Sequence, residues 1–149
     1  MKYITTETLE FHLGLEYSGA DYQITCKKTN HVLVHLSAKG ILTVYPDFTW
    51  DGCSPKYKIK DMFIGVWDGK EQFYPQHNET CQQLKYPSLV HDALCQLFHS
   101  KKHFHYYTRR DIDIIFCNMM KQYGVSLLQR KSYYYAVRLY AKLKYPKYE

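Results

Sequence analysis

No window of this sequence approaches the run of roughly 18 apolar residues that a membrane-spanning helix needs, which excludes a helical membrane protein. The opening stretch MKYITTETLEFHLGLEY also has no apolar run long enough for the core of a signal peptide, so a soluble protein made in the cytosol is expected. The cysteines never stand as Cys-x-x-Cys, and there are five of them: Cys26, Cys53, Cys81, Cys95 and Cys117. An odd number without that spacing suggests neither a closed disulfide framework nor a zinc ribbon, and free thiols are the expectation. Internal repeats and low-complexity tracts are absent too, which excludes a solenoid. Acidic side chains are in deficit, 14 against 20 Lys and Arg, for a formal charge of +6.

What is present fits one ordinary domain. A 46% hydrophobic content with 23% charged residues is enough for a core and argues against wholesale disorder. Sixteen tyrosines and seven phenylalanines are a heavy aromatic load; a tyrosine can bury its ring and keep its hydroxyl near water, which suits thin cores and contact surfaces. The positive charge permits an acidic partner without indicating one.

The first 50 residues carry strand signals. YQITCK alternates, and two β-branched runs, Val32 to Leu36 and Ile41 to Tyr45, are separated by SAKG, which has the length and the glycine of a hairpin loop. From Asp51 onward, Asp51-Gly52, Ser54-Pro55 and Asp68-Gly69 punctuate a stretch read as mostly loop. Pro87 suits the first turn of a helix whose apolar face is Leu89, Val90, Ala93, Leu94, Leu97 and Phe98. A second helix starts at Thr108 as N-cap, with Asp111 three residues on, and stops at Gly124; its face is Ile112, Ile115, Phe116, Met119 and Tyr123. A third, Arg130 to Leu143, buries Tyr133, Ala136, Val137 and Tyr140. The expected fold class is α+β, one domain over residues 1–149: a short antiparallel β-layer (1–50), a long loop region (51–86) and a three-helix part (87–144).

His91 and Asp92 stand side by side in the first helix. At helical spacing His91 lies on one flank of the apolar stripe and Asp92 is about 100° further round, so the two cannot converge on one small atom. Asp113 lies on the flank of the second helix. If the two helices pack antiparallel, its carboxylate reaches the His91 imidazole, fixes its tautomer and raises its basicity, as a general base for water requires. The turn TWDGCSP offers the Asp51 carboxylate and the Ser54 hydroxyl; together with Asp92 it would make an oxygen-rich site for a hard divalent cation such as calcium. The same residues have plainer uses: His91 and Asp113 as a structural pair, Asp51 and Ser54 as turn formers. In the tyrosine-rich C-terminal helix, Lys131, Arg138, Lys142 and Lys144 read as a solvated face, and no nucleic-acid motif accompanies them, so nucleic-acid binding is not expected. Of Tyr134 and Tyr135, at least one should point outward.

The order of these pieces, DGCSP, VHDALCQLF, RRDIDIIFCNMM and YYAVRLYA, resembles a phage and prophage domain of unknown function numbered 1353. The resemblance spans residues 40–142 and rests on Asp51, Gly52, Ser54, Pro55, His91, Asp92, Arg110, Asp113, Phe116, Met120, Tyr135 and Val137. It implies phage origin more than any chemistry, with partners among phage or host proteins, host-cytoplasmic synthesis, and a place in the virion or an oligomer left open. A fainter similarity, to phospholipase A2, implies His91 as the base, Asp113 as its orienting carboxylate and Asp92 with carbonyls of the Asp51–Pro55 turn as calcium ligands; Asp51 is itself a candidate metal ligand, with Ser54 and Arg110 as supporting residues. Two readings stand: a hydrolase-like protein, and a non-catalytic virion or host-interaction protein whose polar cluster is structural.

Overall fold

The computed structural model describes residues 3–13, 21–50, 57–59, 62–64, 78–100 and 108–148. Strands β1 (Tyr3–Ile4), β2 (Leu9–His12), β3 (Tyr22–Thr25), β4 (Val32–Leu36), β5 (Ile41–Val44), β6 (Thr49–Trp50), β7 (Tyr57–Ile59) and β8 (Met62–Ile64) precede helices α1 (Asn78–Ser100), α2 (Arg109–Gln122) and α3 (Leu127–Lys144). The α+β class is as expected from the sequence.

The main sheet has the order β2-β5-β4-β3, all antiparallel. Its register lines up apolar side chains across all four strands. Leu9, Val44, Val34 and Ile24 form one row and Phe11, Leu42, Leu36 and Tyr22 the next, while Glu10, Thr43, His35 and Gln23 form a polar row on the opposite face. Because successive side chains alternate faces, a slip of one residue would exchange these rows, so the apolar pattern fixes the register. Val34, Leu36, Leu42 and Val44 are fully buried in the core, which they share with Leu89, Val90, Leu94 and Leu97 of α1. The β4–β5 hairpin closes at Gly40, whose φ of 78° only glycine adopts freely.

The chain start is tied to the end of this sheet through Thr5, 5% exposed. Its hydroxyl donates to the Tyr45 carbonyl (2.7 Å) and accepts from the Phe48 amide (3.0 Å), while its backbone exchanges bonds with Phe48 and Asp47. The bend at Asp47 has φ 73°, a left-handed conformation that aspartate tolerates better than most residues.

Helix α1 begins at Asn78 and passes through Pro87, which corrects the expectation of a start at Pro87 with loop as far as residue 86. Proline lacks the N–H that would bond the Gln83 carbonyl, but burial of Leu84, Pro87 and Leu89 against the core outweighs one missing bond. Helix α2 follows its sequence signals: Thr108 and Asp111 form a reciprocal capping box, and Gly124 (φ 84°) ends the helix with a bond from the Val125 amide back to the Met120 carbonyl. Ile112, Ile115, Phe116 and Met119 are buried as expected, whereas Tyr123 is at the edge, its ring tilted against that of Tyr86 with centroids 5.8 Å apart. Helix α3, capped by Ser126, starts three residues earlier than the sequence suggested. Its Tyr133 and Val137 are buried, Ala136 and Tyr140 are partly so, and Tyr135 is the outward member of its pair.

Replacing Thr5 by valine keeps the shape but leaves the buried Phe48 amide without an acceptor. We expect Thr5→Val to lower stability by about 1–3 kcal/mol in urea denaturation; an unchanged midpoint would show that Thr5 does not clamp this end of the sheet.

Candidate functional site

Contacts along α1 and α2 run in opposite directions: His91 meets Asp113, and eight positions later His99 meets Arg109. The helices are therefore antiparallel, the arrangement on which the reach of Asp113 to His91 depended. His91 Nε2 lies 2.6 Å from Asp113 Oδ1, with both side chains buried. Phe116, one turn along α2, packs on the imidazole with ring centroids 4.7 Å apart.

The carboxylate has two further partners. Arg138 Nη1 of α3 donates to Oδ2 at 2.8 Å, and Arg109 Nε donates to Oδ1 at 3.4 Å. Asp113 is 0% exposed and Arg109 and Arg138 are 4% and 9% exposed, so a buried anion is neutralised by guanidinium groups that are themselves out of water. Arg109 also donates through Nη1 to His99 Nε2 at 3.2 Å, and the His99 ring lies 4.2 Å from that of Tyr145. Partial burial and the Arg109 charge push His99 below the usual imidazole range, which keeps it neutral and able to accept that bond.

Burial favours the uncharged form of both members of the central pair, and both resist it. For Asp113, hydrogen bonds from His91 and Arg138 and the charges of His91 and Arg109 hold the carboxyl below its ordinary value. For His91, burial pushes downward, but the Cys95 sulfur and the Asp113 carboxylate prevail and raise the imidazole to about 9. A shift in this direction favours the imidazolium, which donates to Asp113 and has no free lone pair to take a proton from water. Cys95 Sγ is 3.9 Å from Nδ1 and 3.8 Å from Nε2, within a sulfur's hydrogen-bonding reach of either nitrogen.

Asp92 leaves α1 in another direction. Its carboxylate accepts from Gln96 Nε2 at 2.9 Å, and Gln96 also reaches the Thr49 carbonyl of β6 at 3.4 Å. The divergence of the two neighbours follows helix geometry, as the sequence implied. Asp51 and Ser54 lie outside the described residues. Among the described residues no group of three His, Cys, Asp or Glu side chains is placed to hold a metal ion. Arg110 is exposed on α2, and the arginine that reaches Asp113 is its neighbour Arg109. Arg138, expected on a solvated face with Lys131, Lys142 and Lys144, is buried on Asp113; the three lysines are exposed.

Sequence reasoning missed Arg109, Arg138, Cys95 and His99. Arg109 left a signal, since a charge four residues before Asp113 is the spacing of a helical ion pair, and Cys95 stands four residues after His91. Arg138 left none, because its partner is on another helix.

Residues 77–137 match the family model described as Protein of unknown function (DUF1353), so this stretch, α1 and α2 with more than half of α3, carries the pattern of that family. No curated protein and no solved structure matches the chain.

The cluster makes two expectations. Asp113→Asn leaves two buried guanidiniums without a counter-charge and should cost about 3–5 kcal/mol by chemical denaturation; a loss under about 1 kcal/mol would mean that the cluster is well solvated. The second concerns pH. A histidine raised from 6.5 to about 9 on folding stabilises the protein fully below pH 6.5, and that contribution is lost as pH rises through 9. The arginines stay charged over this window, so a wild-type unfolding free energy that falls between about pH 6.5 and 9, by on the order of 3 kcal/mol that His91→Gln abolishes, is the expected result in denaturation across pH.

Proposed function

We propose that this chain, with the DUF1353 pattern over residues 77–137, is a non-catalytic interaction protein of phage origin, working in the virion or against a host protein, and that its His-Asp cluster is structural. The phage assignment is supported by the order of the Asp-Gly-x-Ser, His-Asp, Arg-x-x-Asp and Tyr-x-Val motifs. The single observation that carries the non-catalytic reading is the environment of Asp113. Its carboxylate is fully buried and bonded by one side chain from each of the three helices, His91, Arg109 and Arg138. A carboxylate serving a general base fixes the tautomer of the imidazole and stabilises positive charge on it as that charge forms. Here two guanidiniums already compensate its charge, and its bond to His91 favours the charged form of the ring in the resting protein.

His91 is also 7% exposed, so water or substrate has little access to the ring. In the rival hydrolase reading His91 would be the base, Asp113 its partner, and Asp92 with Asp51 the holders of a divalent cation. That mechanism requires a neutral imidazole, and with the ring raised to about 9 the active fraction would grow tenfold per pH unit below that value.

A comparison of His91→Ala with wild type separates the two readings. The structural reading expects the variant to lose about 1–3 kcal/mol, and it expects wild-type protein to leave p-nitrophenyl esters and bis-p-nitrophenyl phosphate intact with or without calcium. Wild-type hydrolysis that rises steeply toward pH 9 and disappears in a variant melting within a degree of wild type would overturn it.

A further inference from the structure

Helix α3 is apolar on two faces. Tyr133, Val137 and Ala141 enter the core, while Leu128, Tyr135, Leu139 and Leu143 remain 75%, 62%, 55% and 73% exposed. At 100° per residue the four exposed positions fall within an arc of about 80° on the side opposite Val137, and they extend along about 22 Å of helix. A single exposed leucine is ordinary on a soluble protein. Spacing of i, i+7, i+11 and i+15 is different, because it is the narrow seam along which one helix packs against another.

Charge indicates what would lie on that seam. Every ionisable group of α3 apart from its tyrosines is basic, Arg130, Lys131, Arg138, Lys142 and Lys144, and the helix has no Asp or Glu. Arg138 is turned inward to Asp113. Lys131 and Lys142 are exposed and, at helical spacing, flank the row along one side. A second copy laid antiparallel on this face would bring lysine against lysine with no carboxylate from either helix, which disfavours self-association through it. A lipid surface fits less well, since helices that lie in a membrane interface bury a broad apolar face, and here the broad face of α3 is already in the core.

We propose that the outward face of α3 is a docking surface for an acidic amphipathic helix of a partner protein, its leucines packing along Leu128, Tyr135, Leu139 and Leu143 and its carboxylates meeting Lys131 and Lys142. This gives the interaction-protein reading a surface, and it does so on residues separate from the His91 cluster, so either can fail alone.

The probe is a fluorescent helical peptide of roughly 21 residues with leucines at seam positions and glutamates beside them. It is titrated into the full chain, next to a peptide with lysine for every glutamate and next to vesicles of phosphatidylcholine and phosphatidylglycerol. We expect binding of the acidic peptide, weakened about tenfold or more by Leu139→Ser with Leu143→Ser, and a switch of preference to the basic peptide in Lys131→Glu with Lys142→Glu. The substituted side chains are exposed, and thermal melts confirm that the variants remain folded. The proposal is overturned by absence of acidic-peptide binding, by equal binding of both peptides, by vesicle binding that depends on the two leucines, or by a dimer in light scattering that depends on them. His91→Ala melts report on the structural cluster independently of all these outcomes.

Discussion

The three-helix half of this protein depends on one carboxylate. Asp113 has no exposure to solvent, and an isolated buried carboxylate is so costly that it would ordinarily take up a proton. It stays ionised because His91 of α1, Arg109 of α2 and Arg138 of α3 all donate to it. Those donors are themselves buried, so each helix contributes a polar group that is tolerable only while the other two are in place. A slip of one helix by one turn moves its donor about 5.4 Å, beyond any hydrogen bond. Apolar core residues of the three helices, such as Leu94, Ile112, Phe116 and Val137, could repack after such a slip at modest cost. The ionic centre could not, so it selects one register from those that the apolar core alone would allow.

This explains which parts of the structure were legible in the sequence. Features set by neighbouring residues were read correctly: the β4–β5 hairpin from its glycine-containing loop, and the start and end of α2 from Thr108, Asp111 and Gly124. The contact of His91 with Asp113 was also legible, because helical spacing put both side chains on the flanks of stripes that had to adjoin. Helix α1 was read too short because Pro87 has a strong local meaning, a helix start, that tertiary burial overrides. β2 was missed because LEFH contains no β-branched residue, and its place is set by pairing with β5, some thirty residues away. Arg138 was misread for a related reason: on its own helix it continues a basic face, and its acidic partner lies 25 residues earlier on α2.

The arginines also decide what the His-Asp pair can do. A buried histidine on a carboxylate, taken alone, has the form of a general base with its orienting acid. Arg109 and Arg138 change that form, since the carboxylate they neutralise has less to give to an imidazole that becomes charged during a reaction. Asp92, the residue with which a metal-assisted mechanism would begin, leaves the helix toward β6, on Gln96, rather than toward His91. Within the described residues, the groups that converge are those of the Asp113 centre.

The centre bears on the surface as well. A helix with apolar residues on two sides has two ways of facing the core, and α3 is such a helix: Tyr133, Val137 and Ala141 on one side, Leu128, Tyr135, Leu139 and Leu143 on the other. The second row is at least as apolar as the first, so hydrophobic burial alone gives weak guidance on which should enter. Arg138 breaks the tie. Its guanidinium reaches Asp113 only when α3 is turned so that Tyr133 and Val137 face inward, and that bond at 2.8 Å fixes the rotation. The exposed leucine row is then a consequence of the buried ion pair, and the residues that hold the helices together also determine which face of the last helix is offered to a partner.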